Sequence, residues 1–407
     1  MTLGVELREG FKISFAAVMA NKVRAVLTTL GIIIGIVSVT LMGAAIEGLN
    51  RAFQNSISSL GADVLYIQKW PWVAGEEWWR YRNRRDIKPE YAETIKKEAT
   101  LAAAVAPIQG RMGTVKYGDL TASNVQIFGT TADYALVTGM DMADGRFFTD
   151  QEGRGDRPLV VIGGDVASNL FPNQDPVGKT IKINGLSFKI LGVYSKQGSF
   201  MGMFSLDNRV IIPLGEFEKM YGKEYGATIQ VRVVNEKDMD DAKEELRGIM
   251  RKLRKLAPDQ PDDFSINQQD LLTNAFGKIT GVVGAVGIFV TALSLFVGGI
   301  GIMNIMFVSV TERTKEIGIR KALGARKLTI LLQFLIEASL ICLSGGIIGL
   351  GLSYPLSMLV DKFLPTAMPV SLAIIAILIS LLVGVISGII PAYRASRLDP
   401  VEALRYE

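Results

Sequence analysis

The chain has 407 residues, and its average composition, 49% apolar and 21% charged, hides an uneven distribution along the sequence. With no His and a single Cys, Cys342, it can hold no Ser-His-Asp or Cys-His catalytic arrangement, no His-ligated haem or zinc, no intrachain disulfide and no cysteine metal cluster. The formal net charge of +4 is small, and the basic residues behind it flank apolar stretches instead of forming a patch, so no nucleic acid is expected as a partner.

Four stretches carry almost no charge: 25–46, 279–310, 328–360 and 366–392. A helix needs about 20 apolar residues to cross a bilayer core, and each stretch is long enough. The first exceeds the usual ~7–15-residue core of a secretion signal and is read as a retained span. Lys and Arg collect on the cytoplasmic side of short membrane connections. Arg8, Lys12, Lys22 and Arg24 precede the first span; Arg313, Lys315, Arg320, Lys321, Arg326 and Lys327 lie between the second and third; Arg394, Arg397 and Arg405 follow the fourth. Only Lys362 lies between the third and fourth. Both termini and the middle loop are therefore expected in the cytoplasm, and the long segment 47–278 outside. The fold class expected is an α-helical membrane protein with four transmembrane helices and a large extracytoplasmic mixed α/β domain between helices one and two.

Segment 47–278 is large enough to bury its own core. Strand-like runs occur at 63–68, 103–109, 113–117, 123–129, 159–163, 180–183, 188–194, 209–213 and 228–234. Met239, Ala242, Leu246, Ile249, Leu253 and Leu256 recur at helical spacing within 237–256, and Pro89 opens a second candidate helix at 88–99. Beyond the first span Ile46, Leu49, Phe53, Ile57 and Leu60 keep a helical stripe up to Gly61. The second apolar stretch is about 48 Å long as a helix, against a hydrocarbon core of about 30 Å. Both helices are expected to project outward as a stalk, with tilt plus a loop as the alternative. Trp70, Trp72, Trp78 and Trp79 fall together, followed by Arg80, Tyr81, Arg82, Arg84 and Arg85. These rings suit packing on their own domain, contact with a partner or substrate, or contact with the membrane interface.

Two fragments imitate nucleotide chemistry. Asn173 to Thr180 ends like a phosphate-binding loop, but Asn173 stands where that pattern needs Gly, and a turn shaped by Pro176 and Gly178 is the better reading. Leu343-Ser-Gly-Gly346 continues into an apolar helix. Gly345/Gly349, Gly31/Gly35 and Gly384/Gly388 are instead small-xxx-small pairs suited to helix packing. Glu337, inside the third stretch, is read as a structural polar contact in preference to a proton relay, within reach of Lys327, Arg326 or another chain, and Asn304 as a hydrogen-bonding residue between helices.

The middle loop, Thr311 to Ala325, combines Ile317, Ile319 and Leu323 with Glu312, Arg313, Glu316, Arg320 and Lys321, which predicts a short amphipathic helix. In the tail, Asp399-Pro-Val-Glu402 is a helix start, with an N-cap, Pro at the first position and Glu at the third.

The loop TERTKEIGIRKALGA, its continuation from Gln333 to Ala338, and the closing GIIPAYRASRLDPVEALRYE resemble the MacB/FtsX superfamily of ABC-transporter permeases. LVVIGGDVASNLF and DPVGKTIKINGLSFKILGVY in the outer segment are similar to the MacB-type periplasmic core domain. The resemblance implies a dimer of four-helix subunits, built as a cytoplasmic arm (1–24), spans 25–46, 279–310, 328–360 and 366–392, a periplasmic core domain with stalk helices (47–278), a coupling helix (311–327) and a tail helix (393–407). It implies a multi-pass protein of the bacterial inner membrane, in contact with lipid, that works with a cytoplasmic ABC ATPase. The coupling helix would dock on that ATPase through Glu312, Arg313, Glu316, Ile317, Arg320 and Leu323. The sequence shows no fused nucleotide-binding domain, so the expectation is a non-catalytic, non-metal-binding permease that itself binds no cofactor, with ATP and Mg held by a separate ATPase. Motion would pass to the periplasmic domain for efflux with an adaptor and an outer-membrane duct. The alternatives are an FtsX-like signalling permease that activates a cell-wall hydrolase, and a lipoprotein-releasing permease.

Overall fold

The structure, a computed structural model, describes residues 22–57, 61–73, 78–154, 157–200, 204–223 and 225–405. The expected arm with Arg8 and Lys12, and Leu60 of the stalk stripe, lie outside the described residues. The chain divides into a helical unit, made of residues up to Arg51 and from Lys278 onward, and a sheet unit, Ala52–Gly277.

Helix α1 covers Lys22–Ile57. There follow β1 (Val64–Gln68), a 3-10 turn at Trp78–Tyr81, α2 (Tyr91–Glu98), β2 (Ala102–Tyr117), β3 (Leu120–Thr130), α3 (Asp133–Thr138), β4 (Met142–Gly145) and α4 (Asp150–Arg154). Next come β5 (Leu159–Ile162), α5 (Gly164–Leu170), β6 (Thr180–Ile183), β7 (Leu186–Tyr194), and the hairpin β8 (Ser199–Phe200) and β9 (Phe204–Ser205). β10 (Arg209–Pro213), α6 (Leu214–Tyr221), β11 (Thr228–Val233), α7 (Met239–Arg254) and β12 (Ser265–Asn267) complete the sheet unit. The chain then runs through α8 (Gln269–Glu312), α9 (Thr314–Ala322), α10 (Lys327–Val360), α11 (Val370–Arg397) and α12 (Pro400–Arg405).

The sheet runs β12-β1-β11-β2-β3-β10-β5-β7-β4, with β6 paired to both β2 and β7. It is mixed: β10 lies parallel to β3 and β5 parallel to β7, and its other pairings are antiparallel. Strand periodicity of two sends alternate residues to opposite cores. Leu65, Ile67, Val105 and Val231 pack under α2 and α7, whereas Val64, Tyr66, Ala104 and Ala106 join Tyr134, Val137 and Phe148 on the other face. Val160, Ile162, Val210 and Ile212 form a further core with α5 and α6. The two runs expected at 103–109 and 113–117 are one strand, bent at a bulge between Gly113 and Val115.

Among the described residues four helices, at Thr29–Ile57, Gln269–Glu312, Lys327–Val360 and Val370–Arg397, are long and apolar enough to cross a membrane. At 44 residues α8 is about 66 Å long, roughly twice a hydrocarbon core. α1 and α8 both outrun the apolar stretches 25–46 and 279–310 at the ends nearer the sheet unit, and Phe53 and Phe276 there stack face to face with centroids 4.1 Å apart. The fourth helix starts at Val370, four residues after the expected Thr366: Pro369 is extended and disfavours the helical region at Met368 before it. Thr366 instead donates its N–H to Asp361 Oδ1 (2.8 Å), and Ala367 N–H donates to the Ala44 carbonyl of α1 (2.9 Å).

Each glycine pair singled out in the sequence lies where a side chain would collide. A Cβ on Gly31 would sit 3.0 Å from the Gly298 backbone, and one on Gly35 2.7 Å from Leu295. Gly345 and Gly349 of α10 receive Ile32 and Ile36 of α1, and Gly384 and Gly388 of α11 receive Ser339 and Ala338 of α10.

In the sheet unit Arg254, with 1% of its side chain exposed, is the most committed charge. It donates to both oxygens of Asp263 (2.5 and 2.8 Å) and to the carbonyls of Asp86 (3.1 Å) and Arg85 (2.9 Å). Burial raises the Asp263 carboxyl, but Arg254 and then Arg85 outweigh it and hold the group below its usual range. Arg254→Met leaves Asp263 with Arg85 alone and removes the donors to the two carbonyls, and is expected to cost about 3 kcal/mol, roughly 6–12 °C in midpoint. Because all four Trp lie between residues 70 and 79, Trp fluorescence during heating reads the sheet unit alone. A carboxylate with a depressed pKa stabilises the fold above its unfolded pKa. The gap between the two proteins should therefore narrow as pH falls below about 4.

Candidate functional site

Chemistry-bearing residues gather at the α8–α9–α10 corner with α11 and α12. α8 ends at Glu312, Arg313 breaks the helix with φ −105°, and α9 resumes at Thr314. Gly324, at φ +94°, makes the turn toward α10 in the left-handed conformation that side chains rarely adopt.

This short helix presents three faces. Glu312, Glu316, Ile319 and Leu323, spaced four, three and four apart, point outward; Leu323 is 84% exposed and Ile319 46%. Thr314, Ile317 and Gly318 are buried on the opposite side, where Gly318 lets α12 approach so closely that a Cβ would lie 2.7 Å from the Ala403 Cβ. Lys321, on that same side, donates to the carbonyls of Ser396 (3.0 Å) and Leu398 at the end of α11. Burial, with Lys327 adding to it and Asp399 opposing, pushes the Lys321 ammonium below its usual range. The third face turns toward α10. There Arg313 meets the Glu337 carboxylate at 3.2 Å and Arg320 donates to Gln333 Oε1 at 2.7 Å, while also pairing with Glu316 at 2.5 Å. Asp399 caps α12 by accepting the Val401 N–H at 2.8 Å.

The six residues expected to dock therefore divide. Glu312, Glu316 and Leu323 face outward and Arg320 is half-buried at the edge, whereas Ile317 and Arg313 point inward and are not part of an accessible face. Ile317 goes inside because it shares a side with Thr314, Gly318 and Lys321, the stripe that α12 covers. Ile319 is absent from the expected set, although its spacing from Leu323 is the signal that places both on one edge. Glu337 is a structural polar contact, and its partner is Arg313, on the preceding helix, in place of Lys327 or Arg326.

The Trp cluster also divides. Trp72 packs against Tyr66 with centroids 4.8 Å apart, and its N–H donates to Asn267 Oδ1 (3.0 Å). Trp70 and Trp79 are exposed, and the Trp78 side chain lies outside the described residues. Arg84 fastens this segment by donating to the Lys69 carbonyl (3.0 Å), Ser265 Oγ (2.7 Å) and the Asp262 carbonyl (2.9 Å). The fragment ending at Thr180 is a turn: Asp175 Oδ1 accepts the Val177 N–H (2.9 Å), and Lys179 lies over the Phe171 and Tyr117 rings with its ammonium donating to Gln174 (2.7 Å).

The sequence matches two family models, the MacB-like periplasmic core domain over residues 25–249 and the FtsX-like permease C-terminal over residues 288–400. It is 34% identical to the macrolide export ATP-binding/permease protein MacB of Bdellovibrio bacteriovorus, an alignment covering 99% of this chain and 62% of that protein. The protein of the same name from Neisseria meningitidis is also 34% identical, over 97% of this chain and 60% of its own length. The chain thus spans about three-fifths of the relatives it matches. A solved structure, the periplasmic region of MacB from Actinobacillus actinomycetemcomitans, aligns with 54% of this chain and 94% of its own at 21% identity and a TM-score of 0.45.

If Gly318 is what seats α12, a leucine there should displace it. In a Gly318→Leu chain a cysteine placed at the buried position Ala403 should react with maleimide at least about tenfold faster than in the Gly318 parent.

Proposed function

The chain belongs to the MacB/FtsX family of ABC-transporter permeases, and from that premise we propose that it is a non-catalytic inner-membrane permease subunit whose α9 receives an ABC ATPase. The ATPase holds ATP and Mg. Two copies of the permease assemble with it, and its movements reach the sheet unit on the periplasmic side through α1 and α8. The process served is export with an adaptor and an outer duct, a reading supported by relatives named for macrolide export.

One observation carries the docking assignment: an apolar edge, Ile319 and Leu323, stands exposed beside Glu312 and Glu316 on a helix braced by α12 on one side and by Arg313–Glu337 on another. Exposed apolar side chains beside charge on a braced surface suit a protein partner better than solvent. Both positions are solvent-facing, so their substitution leaves the fold intact. An Ile319→Asp/Leu323→Asp chain should lose at least roughly tenfold in affinity, about 1.4 kcal/mol, for the ATPase that co-purifies with the unaltered chain. Undiminished co-purification and unchanged stimulated ATP turnover in that variant would remove α9 from the interface.

A further inference from the structure

The linkers at each end of α9 fix its direction only in part. Arg313 turns the chain before it while keeping backbone bonds to Ser309 and Ile317, and a turn through left-handed Gly324 follows it. Nine residues are also too few for a helix to persist without tertiary support. Beyond the packing of Ile317 and Gly318, what ties it to its neighbours is side-chain bonding. Arg313 and Arg320 lie seven residues apart, two turns along the corner, and their acceptors Glu337 and Gln333 lie four apart on α10, in antiparallel order. Glu337 is 6% exposed and Arg313 17%, so water competes poorly for this pair. On the other side Lys321 reaches two carbonyls at the end of α11.

We propose that Arg313 and Arg320 are positioning residues that lock α9 to α10 through Glu337 and Gln333, with Lys321 locking it to α11, so that the three helices displace as one body. Glu337 thereby acquires a role: it is the buried anchor of a lever arm. This inference rests on the docking reading only for what pushes the lever; the lock itself is a property of this chain.

The test is a distance measurement on the full chain in lipid nanodiscs with no ATPase present. Spin labels go on cysteines at Ile319 of α9 and Ile348 of α10, both exposed, in a Cys342→Ala background. The unaltered pair should give one narrow distance. Glu337→Gln and Arg313→Gln should each broaden it at least about twofold, the double variant should be no broader than the worse single, and Arg313→Lys should recover part of the loss. If Glu337→Gln does not fold, Arg320→Gln, at a half-buried site, supplies the same comparison. A distribution as narrow in these variants as in the parent overturns the lock. Loss of ATPase binding in the Ile319→Asp/Leu323→Asp chain, with narrow distances lost in Glu337→Gln, supports both readings. Retained binding in the former would sink the docking face and leave the distances to judge the lock.

Discussion

The helical unit depends on helix backbones approaching closer than side chains normally permit. Inside a bilayer, burying an apolar side chain against a neighbour instead of lipid gains little, so association rests on dispersion contacts and a few hydrogen bonds. Glycine is what makes those contacts dense. Ile32 and Ile36 of α1 are fully buried because Gly345 and Gly349 leave room for them, while Gly31 meets Gly298 on α8. Thr40 and Ser353 hydrogen-bond at 2.5 Å along the same seam. α1 is thus held between α8 and α10, and an added Cβ at any of these glycines would crowd the facing helix.

The same constraint on geometry governs charge. A buried ion pair seldom adds stability, but removing one partner is costly, so such a pair fixes geometry more than it raises stability. Arg313–Glu337 in the helical unit and Arg254–Asp263 in the sheet unit both follow this pattern. Each joins segments distant in sequence: a helix break to a later span, and the end of α7 to the loops at 85–86 and 263. The second pair, with Arg84, shapes the segment that presents Trp70 and Trp79.

Long periodic features are legible in the amino-acid sequence alone. Charge-poor stretches mark the four apolar helices, and the alternation in Thr180–Ile183 and the apolar run in Arg209–Pro213 predict strands with the same bounds as β6 and β10. Short elements are not legible. α3, α5 and α6 hold six to eight residues, about two turns, too few for a helical period to stand out, and β12 is a three-residue strand recognisable only from its pairing with β1. The candidate site falls at the expected loop, yet its faces are blurred in the sequence because hydrophobicity alone puts Ile317 and Leu323 in one class. What separates them is the small residue beside Ile317: Gly318 admits α12, and a helix face open to a neighbour becomes interior. Likewise Trp72 is distinguished from Trp70 by packing its ring on Tyr66, a contact that no spacing in the sequence marks.

These constraints also set the routes open to a push on α9. Under the proposed function, load enters at Ile319 and Leu323 and passes to α10 through Glu337 and Gln333. Close-packed contacts have low compressibility, so α10 cannot shift without carrying the isoleucines seated on Gly345 and Gly349. Those isoleucines belong to α1, which continues as one helix to Ile57, where Phe53 stacks on Phe276 near the start of α8. α8 also reaches the loop directly: Arg313 turns the chain at its end, yet its N–H still donates to the Ser309 carbonyl (3.2 Å) and its carbonyl accepts the Ile317 N–H (3.0 Å). Under the proposed function, a push on α9 thus has two routes, to α1 through α10 and to α8 through the backbone at Arg313.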